Sequence, residues 1–148
     1  MIQRDAMLNT YKEVYNMISP AIHFPGNCNE AIHFYEQVFG GTEKHIDYYR
    51  DAPDNPGFVV TSDMKNQVMH ATMTICGTPV NFSDTQDETS AGNMICLNVF
   101  MPSPQAVCNA FNQLKDGGKI IVQLGPQFFS TMYGSIEDKY GIKWQLIA

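Results

Sequence analysis

The sequence predicts an α+β fold in which one half-sheet module is used twice, and three observations predict it. Asn27-Cys28-Asn29-Glu30 opens a helical stretch that stops at Gly40-Gly41, and Ser103-Pro104 opens another that stops at Gly117-Gly118. Both stretches carry their apolar residues on one helix face: Ala31, Tyr35 and Val38, shifted by 76 positions, become Val107, Phe111 and Leu114. Each helix is preceded by one apolar strand-like run and followed by three. Tandem duplication of a βαβββ unit is the simplest cause. Two such modules side by side enclose a concave, sheet-lined cavity, and chemistry is to be sought there.

Taken in order, residues Met1 to Met17 place Leu8, Tyr11 and Tyr15 at helical spacing and predict a short N-terminal helix. The first module, residues 18–84, begins with a strand from Ile18 to Phe24, ended by Pro25-Gly26. Asn27 is a good N-cap, and Glu30 three positions on completes a capping box. The helix runs to Phe39, and Gly40-Gly41 supplies the left-handed residue that ends it. Thr42 to Tyr49 reads as a strand. Arg50 to Asn66, with Pro53, Pro56 and Gly57, is the longest irregular piece, of a length common in lids and partner contacts. Within it Phe58 to Val60 suits a short strand and Ser62 suits the cap of one helical turn. Strands Val68 to Cys76 and Val80 to Ser83 flank a turn at Gly77-Thr78-Pro79.

Asp84 to Asn93 links the halves. The second module, residues 94–148, predicts a strand from Met94 to Met101 and a helix from Pro104 to Lys115, with Ser103 as cap and proline at the first helical position. Strands follow at Lys119 to Leu124, Phe128 to Ile136 and Ile142 to Ile147, joined by Gly125-Pro126-Gln127 and by a turn from Asp138 to Gly141. A unit of half this length is too small to be securely stable unpaired, so residues 1–148 are expected to form a single domain.

Composition narrows the function. A net charge of −6 with no cluster of lysine and arginine argues against binding nucleic acid or anionic membranes. No apolar run reaches the length of a membrane span and the N-terminus lacks an export pattern, which predicts a cytoplasmic protein. Cys28, Cys76, Cys96 and Cys108 form no CxxC pair, so neither a zinc knuckle nor a redox motif is written, and buried reduced thiols are expected for most of them.

Three stretches resemble the PhnB-like branch of the vicinal-oxygen-chelate superfamily, which holds glyoxalase I, bleomycin-resistance proteins and extradiol dioxygenases. They are the run from Ile18 to Tyr35 (ISPAIHFPGNCNEAIHFY), Val68-Met69-His70-Ala71 with Phe82-Ser83-Asp84 downstream, and Tyr133 to Trp144 (YGSIEDKYGIKW). The resemblance implies a U-shaped cavity, commonly finished by homodimerisation. In metal-dependent members one ligand comes from the first and one from the fourth strand of each module. Matched motif to motif, those positions fall on Pro20, His70, Met94 and Gln145. Only His70 is a good ligand for a hard or borderline divalent ion, so no metal and no cofactor is expected.

Each remaining candidate has two readings. His70 is a candidate acid or base, or a hydrogen-bonded wall residue. Asp84 orients His70 or a ligand hydroxyl, or else caps the linker turn. Asp138 reads as turn chemistry, Trp144 as packing under a helix, His23 as packing toward the helix layer, and His33 and His45 as surface residues. Phe24, Phe128 or Phe129, and Tyr133 line an aromatic pocket or belong to the core. Met64, Met69, Met73, Met94 and Met132 would make the walls adaptable. The expected function is metal-independent binding of a small apolar or aromatic molecule by a homodimer, with Phe24, His70, Asp84, Met94, Phe129, Tyr133 and Gln145 as candidate contacts. The alternative is a glyoxalase-like lyase or isomerase, or another enzyme such as a transferase, using His70. Methyl transfer is disfavoured because no glycine-rich nucleotide loop occurs. A third possibility is an interaction protein whose N-terminal helix and long flap recruit a partner.

Overall fold

The computed structural model describes residues 17–148, so the expected N-terminal helix lies outside the described residues. The chain forms two four-stranded mixed sheets with one helix each. The first comprises β1 (Ala21–Phe24), α1 (Cys28–Phe39), β2 (Thr42–Tyr48), β3 (Val68–Ile75) and β4 (Thr78–Asp84). The second comprises β5 (Leu97–Phe100), α2 (Pro104–Leu114), β6 (Lys119–Gln127), β7 (Ser130–Glu137) and β8 (Lys143–Ile147). Strand orders are β1-β4-β3-β2 and β5-β8-β7-β6, so the topology is the same twice. In each sheet the first strand runs parallel to the fourth, and the other pairings are antiparallel.

The duplicated glycine pairs do equivalent work. Gly40 and Gly117 stand at φ of 65° and 71°, where a side chain is costly. The second glycine of each pair has no room for a side chain: a Cβ on Gly41 would stand 2.4 Å from the Met73 sulfur, and one on Gly118 would stand 2.5 Å from the Glu137 carbonyl oxygen. The first glycine reverses the chain and the second lets it lie against its own sheet.

The predicted stripes of both helices are buried, and one core spans both modules. At the junction the ring of Tyr35 stacks on Phe82 beneath α1 and meets Trp144 of β8 at 5.3 Å between centroids. Trp144 thus packs under a helix as expected, although part of that contact comes from the other module's helix. Asp138, only 3% exposed, takes four hydrogen bonds at this junction. Its Oδ1 accepts from the amides of Tyr140 and Ile142, which is the expected turn chemistry. Its Oδ2 accepts from the Tyr35 hydroxyl at 2.6 Å and the Trp144 indole at 2.8 Å. Burial, reinforced by the Asp138 charge, pushes the Tyr35 hydroxyl well above the usual phenol range, so it stays a donor.

Several boundaries differ from expectation for identifiable reasons. The strand predicted from Met94 begins at Leu97, because β5 pairs only with β8 and that strand starts at Lys143, one residue before Leu97's partner Trp144. Met94 lies in the linker, 94% exposed. Gly125-Pro126-Gln127 continues β6, and Phe128-Phe129 forms the tight turn to β7. Met64 and Met73 are buried in the interior instead of lining an open wall, and of the four cysteines only Cys28 is buried. The expected helical turn appears at Ser62–Met64, whereas Phe58 makes only an isolated bridge with Asn55.

Asn27 makes no side-chain cap. Asp84 takes that role from a distance, its Oδ1 accepting from the amides of Gly26 at 3.0 Å and Cys28 at 2.9 Å. Glu30 does not close a capping box either. Its carboxylate accepts from the Tyr140 hydroxyl of the second module at 2.9 Å.

Candidate functional site

Alternation along β4, and along β3 from His70 onward past a register irregularity at its start, separates the faces of the first sheet. Val68, Ala71, Met73 and Ile75 on β3 and Val80, Phe82 and Asp84 on β4 are buried beneath α1, which leaves His70, Thr72, Asn81 and Ser83 on the open face. The parallel register of β1 sets its own alternation: Ile22 pairs with Phe82 and His23 with Ser83. His23 therefore stands on the open face, opposite to the prediction that it packs toward the helix. Its Nδ1 is 2.7 Å from the Ser83 hydroxyl.

His70 lies on the same face, with Nε2 3.1 Å from Asn81 Oδ1. His23, Ser83, His70 and Asn81 border one pocket of about 240 Å³, with Ala21 and Ile22 at its side. Asp47 of β2 pairs with His70 in register, and its carboxylate is 3.1 Å from His45 Nε2. Of this group only His70 was singled out from the sequence. The missing signal was the partner of β1: once it is parallel to β4, the parity of His23 follows.

A second, larger space of about 750 Å³ opens between the modules. It is bordered by β1, by the linker and by the turn before β8, with Ile22, Phe24, Leu97, Tyr140 and Ile142 among its walls. His23 belongs to both spaces. The strands on either side of the opening, β1 and β5, are both edge strands.

The other predicted contacts are distributed elsewhere. Asp84 is 3% exposed and faces the helix, so it neither orients His70 nor reaches the pocket, and its Oδ2 accepts from the Val68 amide at 2.9 Å. Phe24 is a core residue whose ring meets Tyr140 edge-on, and it borders the inter-module space and not the pocket at His70. Met94 and Phe129 lie in the linker and at the hairpin tip. Tyr133 contacts Phe129 at 5.2 Å between centroids. Gln145 lies on β8, between Asn98 of β5 and Ser135 of β7, on the face away from Trp144. Pro20 precedes β1 and borders the inter-module space, and its carbonyl accepts from the Asn81 backbone amide at 2.9 Å.

The open face of the first sheet brings two good divalent-ion ligands together, His23 and His70, which falls short of the three protein donors of a catalytic zinc site. His70 lies on the third strand of its module, and the open-face residues of β4 are Asn81 and Ser83. The corresponding residues of β5 and β8 include Asn98 and Gln145, again neutral. Among the described residues no three histidine, cysteine, aspartate or glutamate side chains converge to hold an ion.

This topology and the residues that carry it find a match in known proteins. A family model described as 3-demethylubiquinone-9 3-methyltransferase matches residues 16–147. The chain belongs to this family, the PhnB-like branch of the vicinal-oxygen-chelate superfamily. A similar relative is protein YjdN of Escherichia coli strain K12, 24% identical over 142 residues that cover 87% of this chain and 92% of that one. The crystal structure of protein PA1353 from Pseudomonas aeruginosa is 27% identical with a TM-score of 0.77, covering 89% of this chain and 96% of that one. The PhnB protein from Bacillus cereus is 27% identical with a TM-score of 0.70, covering 89% and 98%. The fosfomycin resistance protein FosX from Listeria monocytogenes, complexed with Mn(II) and a dihydroxypropylphosphonic acid, shares the fold at 11% identity and a TM-score of 0.63, covering 91% and 93%. No helix among the described residues of this PhnB-like chain is long and apolar enough to cross a membrane.

Proposed function

We propose that the protein binds a small apolar or aromatic molecule without a metal, at the open face of the first sheet. One observation carries this: His23, Ser83, His70 and Asn81 surround a single pocket with hydrogen-bonding side chains, and among the described residues no three histidine, cysteine or carboxylate groups converge there. Such a site orients a ligand through a few polar contacts while its apolar parts pack on Ala21. Thermal unfolding in the presence of nickel, zinc or manganese tests the reading. No specific stabilisation is expected, and a clear midpoint rise abolished by His70→Ala or His23→Ala overturns it.

A homodimer completes the site in this reading. The support is a set of exposed apolar side chains on the second module, Phe128 at 100%, Phe100 at 72% and Ile121 at 48%, together with the edge strands β1 and β5 that flank the inter-module opening. Mass measurement in solution should return a dimer, and Phe128→Asp should weaken it. A wild-type monomer at tens of micromolar, an order-of-magnitude working concentration, removes the second subunit from the site.

The competing reading is an enzyme that uses His70 as acid or base. It is favoured by Asp47, which the register sets opposite that imidazole, a carboxylate the sequence offered no means of locating.

A further inference from the structure

The hydrogen bonds around His70 have a direction that assigns its proton. The Pro79 carbonyl is an obligate acceptor, and the Ser19 hydroxyl donates to it. A hydroxyl has one proton, so the Ser19 oxygen can only accept from its other neighbour, the Asn81 amide nitrogen, at 2.9 Å. That turns the Asn81 carbonyl oxygen toward His70, where it accepts from Nε2 at 3.1 Å. Nε2 therefore carries the proton. Nδ1 of the neutral ring holds a lone pair and, among the described residues, has no hydrogen-bond partner.

We infer that Ser19 and Asn81 are positioning residues that hold His70 as the Nε2–H tautomer, so that the pocket presents a lone-pair nitrogen and selects ligands bearing a hydroxyl or an N–H. This rests on the proposed pocket for its ligand class, while the tautomer itself is a property of the unliganded protein. A ligand O–H or N–H donates its hydrogen bond to Nδ1. Where that group is acidic enough, its proton passes to Nδ1 and the electron pair stays on the ligand, with the resulting imidazolium still tied to Asn81 through Nε2. Ser19 is the distant member of the relay and touches Asn81 instead of the imidazole.

Ring-nitrogen NMR of histidine-labelled protein tests the assignment at about pH 9, where an ordinary imidazole is neutral. The His70 signals are identified by their loss in His70→Gln. The wild type is expected to show one tautomer, with Nε2 in the protonated range and Nδ1 in the unprotonated range. Ser19→Ala and Asn81→Ala should each shift both nitrogens toward values averaged over the two tautomers. Asn81→Asp retains an acceptor for Nε2–H and should keep the single tautomer, which separates loss of the relay from loss of the fold. An Nδ1–H tautomer in the wild type, as a hydrogen bond to Asp47 would favour, overturns the inference. So does a wild-type spectrum unchanged in both alanine variants. Either failure leaves the metal test of the pocket reading intact, and a metal-dependent midpoint rise leaves the measured tautomer intact.

Discussion

Asp138→Ala is expected to cost about 3–5 kcal/mol of stability, because it strands four donors at the place where the modules meet. The carboxylate accepts from the Tyr35 hydroxyl, the Trp144 indole and the amides of Tyr140 and Ile142, and no group nearby can replace it for all four. Each donor left unpaired in a buried site costs roughly 1–3 kcal/mol, with entering water offsetting part of the sum. For a domain of this size the midpoint falls by about 10 °C. Tyr35→Phe removes one donor and leaves the carboxylate three, so about 1 kcal/mol is expected there. Chemical denaturation at one protein concentration measures both. An Asp138→Ala loss no larger than that of Tyr35→Phe would show that the cross-module bonds carry little of the junction's stability.

Asp84→Ala should be the second most damaging change, at about 3 kcal/mol. This buried carboxylate receives two amides from the start of α1 and one from the start of β3, so it stands in for a local helix cap and also ties two elements together. The positive end of the helix dipole favours the charge at that position. Asp84→Asn keeps one acceptor but turns an NH₂ against an amide donor, and should lose about 2 kcal/mol. Burial first, and the Asp84 charge second, push the Cys28 thiol far above its ordinary range. Removing Asp84 should therefore also make Cys28 easier to alkylate. Amide hydrogen exchange at Gly26, Cys28 and Val68 should accelerate in both variants, and protection equal to wild type in Asp84→Ala would contradict the capping role.

Asp84 illustrates what a sequence conceals. Its partners are 58, 56 and 16 residues away, so no local pattern could have set it above Asn27, which has the better cap chemistry by position. His23 was misplaced for a related reason. Its opposition to Pro20 and Ile22 follows from strand alternation, but which set faces α1 depends on the partner strand. Pairing Ile22 with Phe82 sends that residue to the core side and His23 to the open side. A single choice of parity moved His23 from the expected helix-packing layer to the pocket it shares with His70.

What the sequence determined unaided was the duplication, the two helices with their buried stripes, and the glycine pairs that end them. Those features rest on rules that act within a helical turn or along one strand, where neighbours in sequence are neighbours in space. The tertiary structure alone decided that Asp84 caps a helix, that Asp138 clasps Tyr35 of the other module, and that His23 and His70 share a pocket with Ser83 and Asn81. These contacts join residues from different strands and modules, and their geometry exists only after the apolar faces have been buried and the strand registers thereby set.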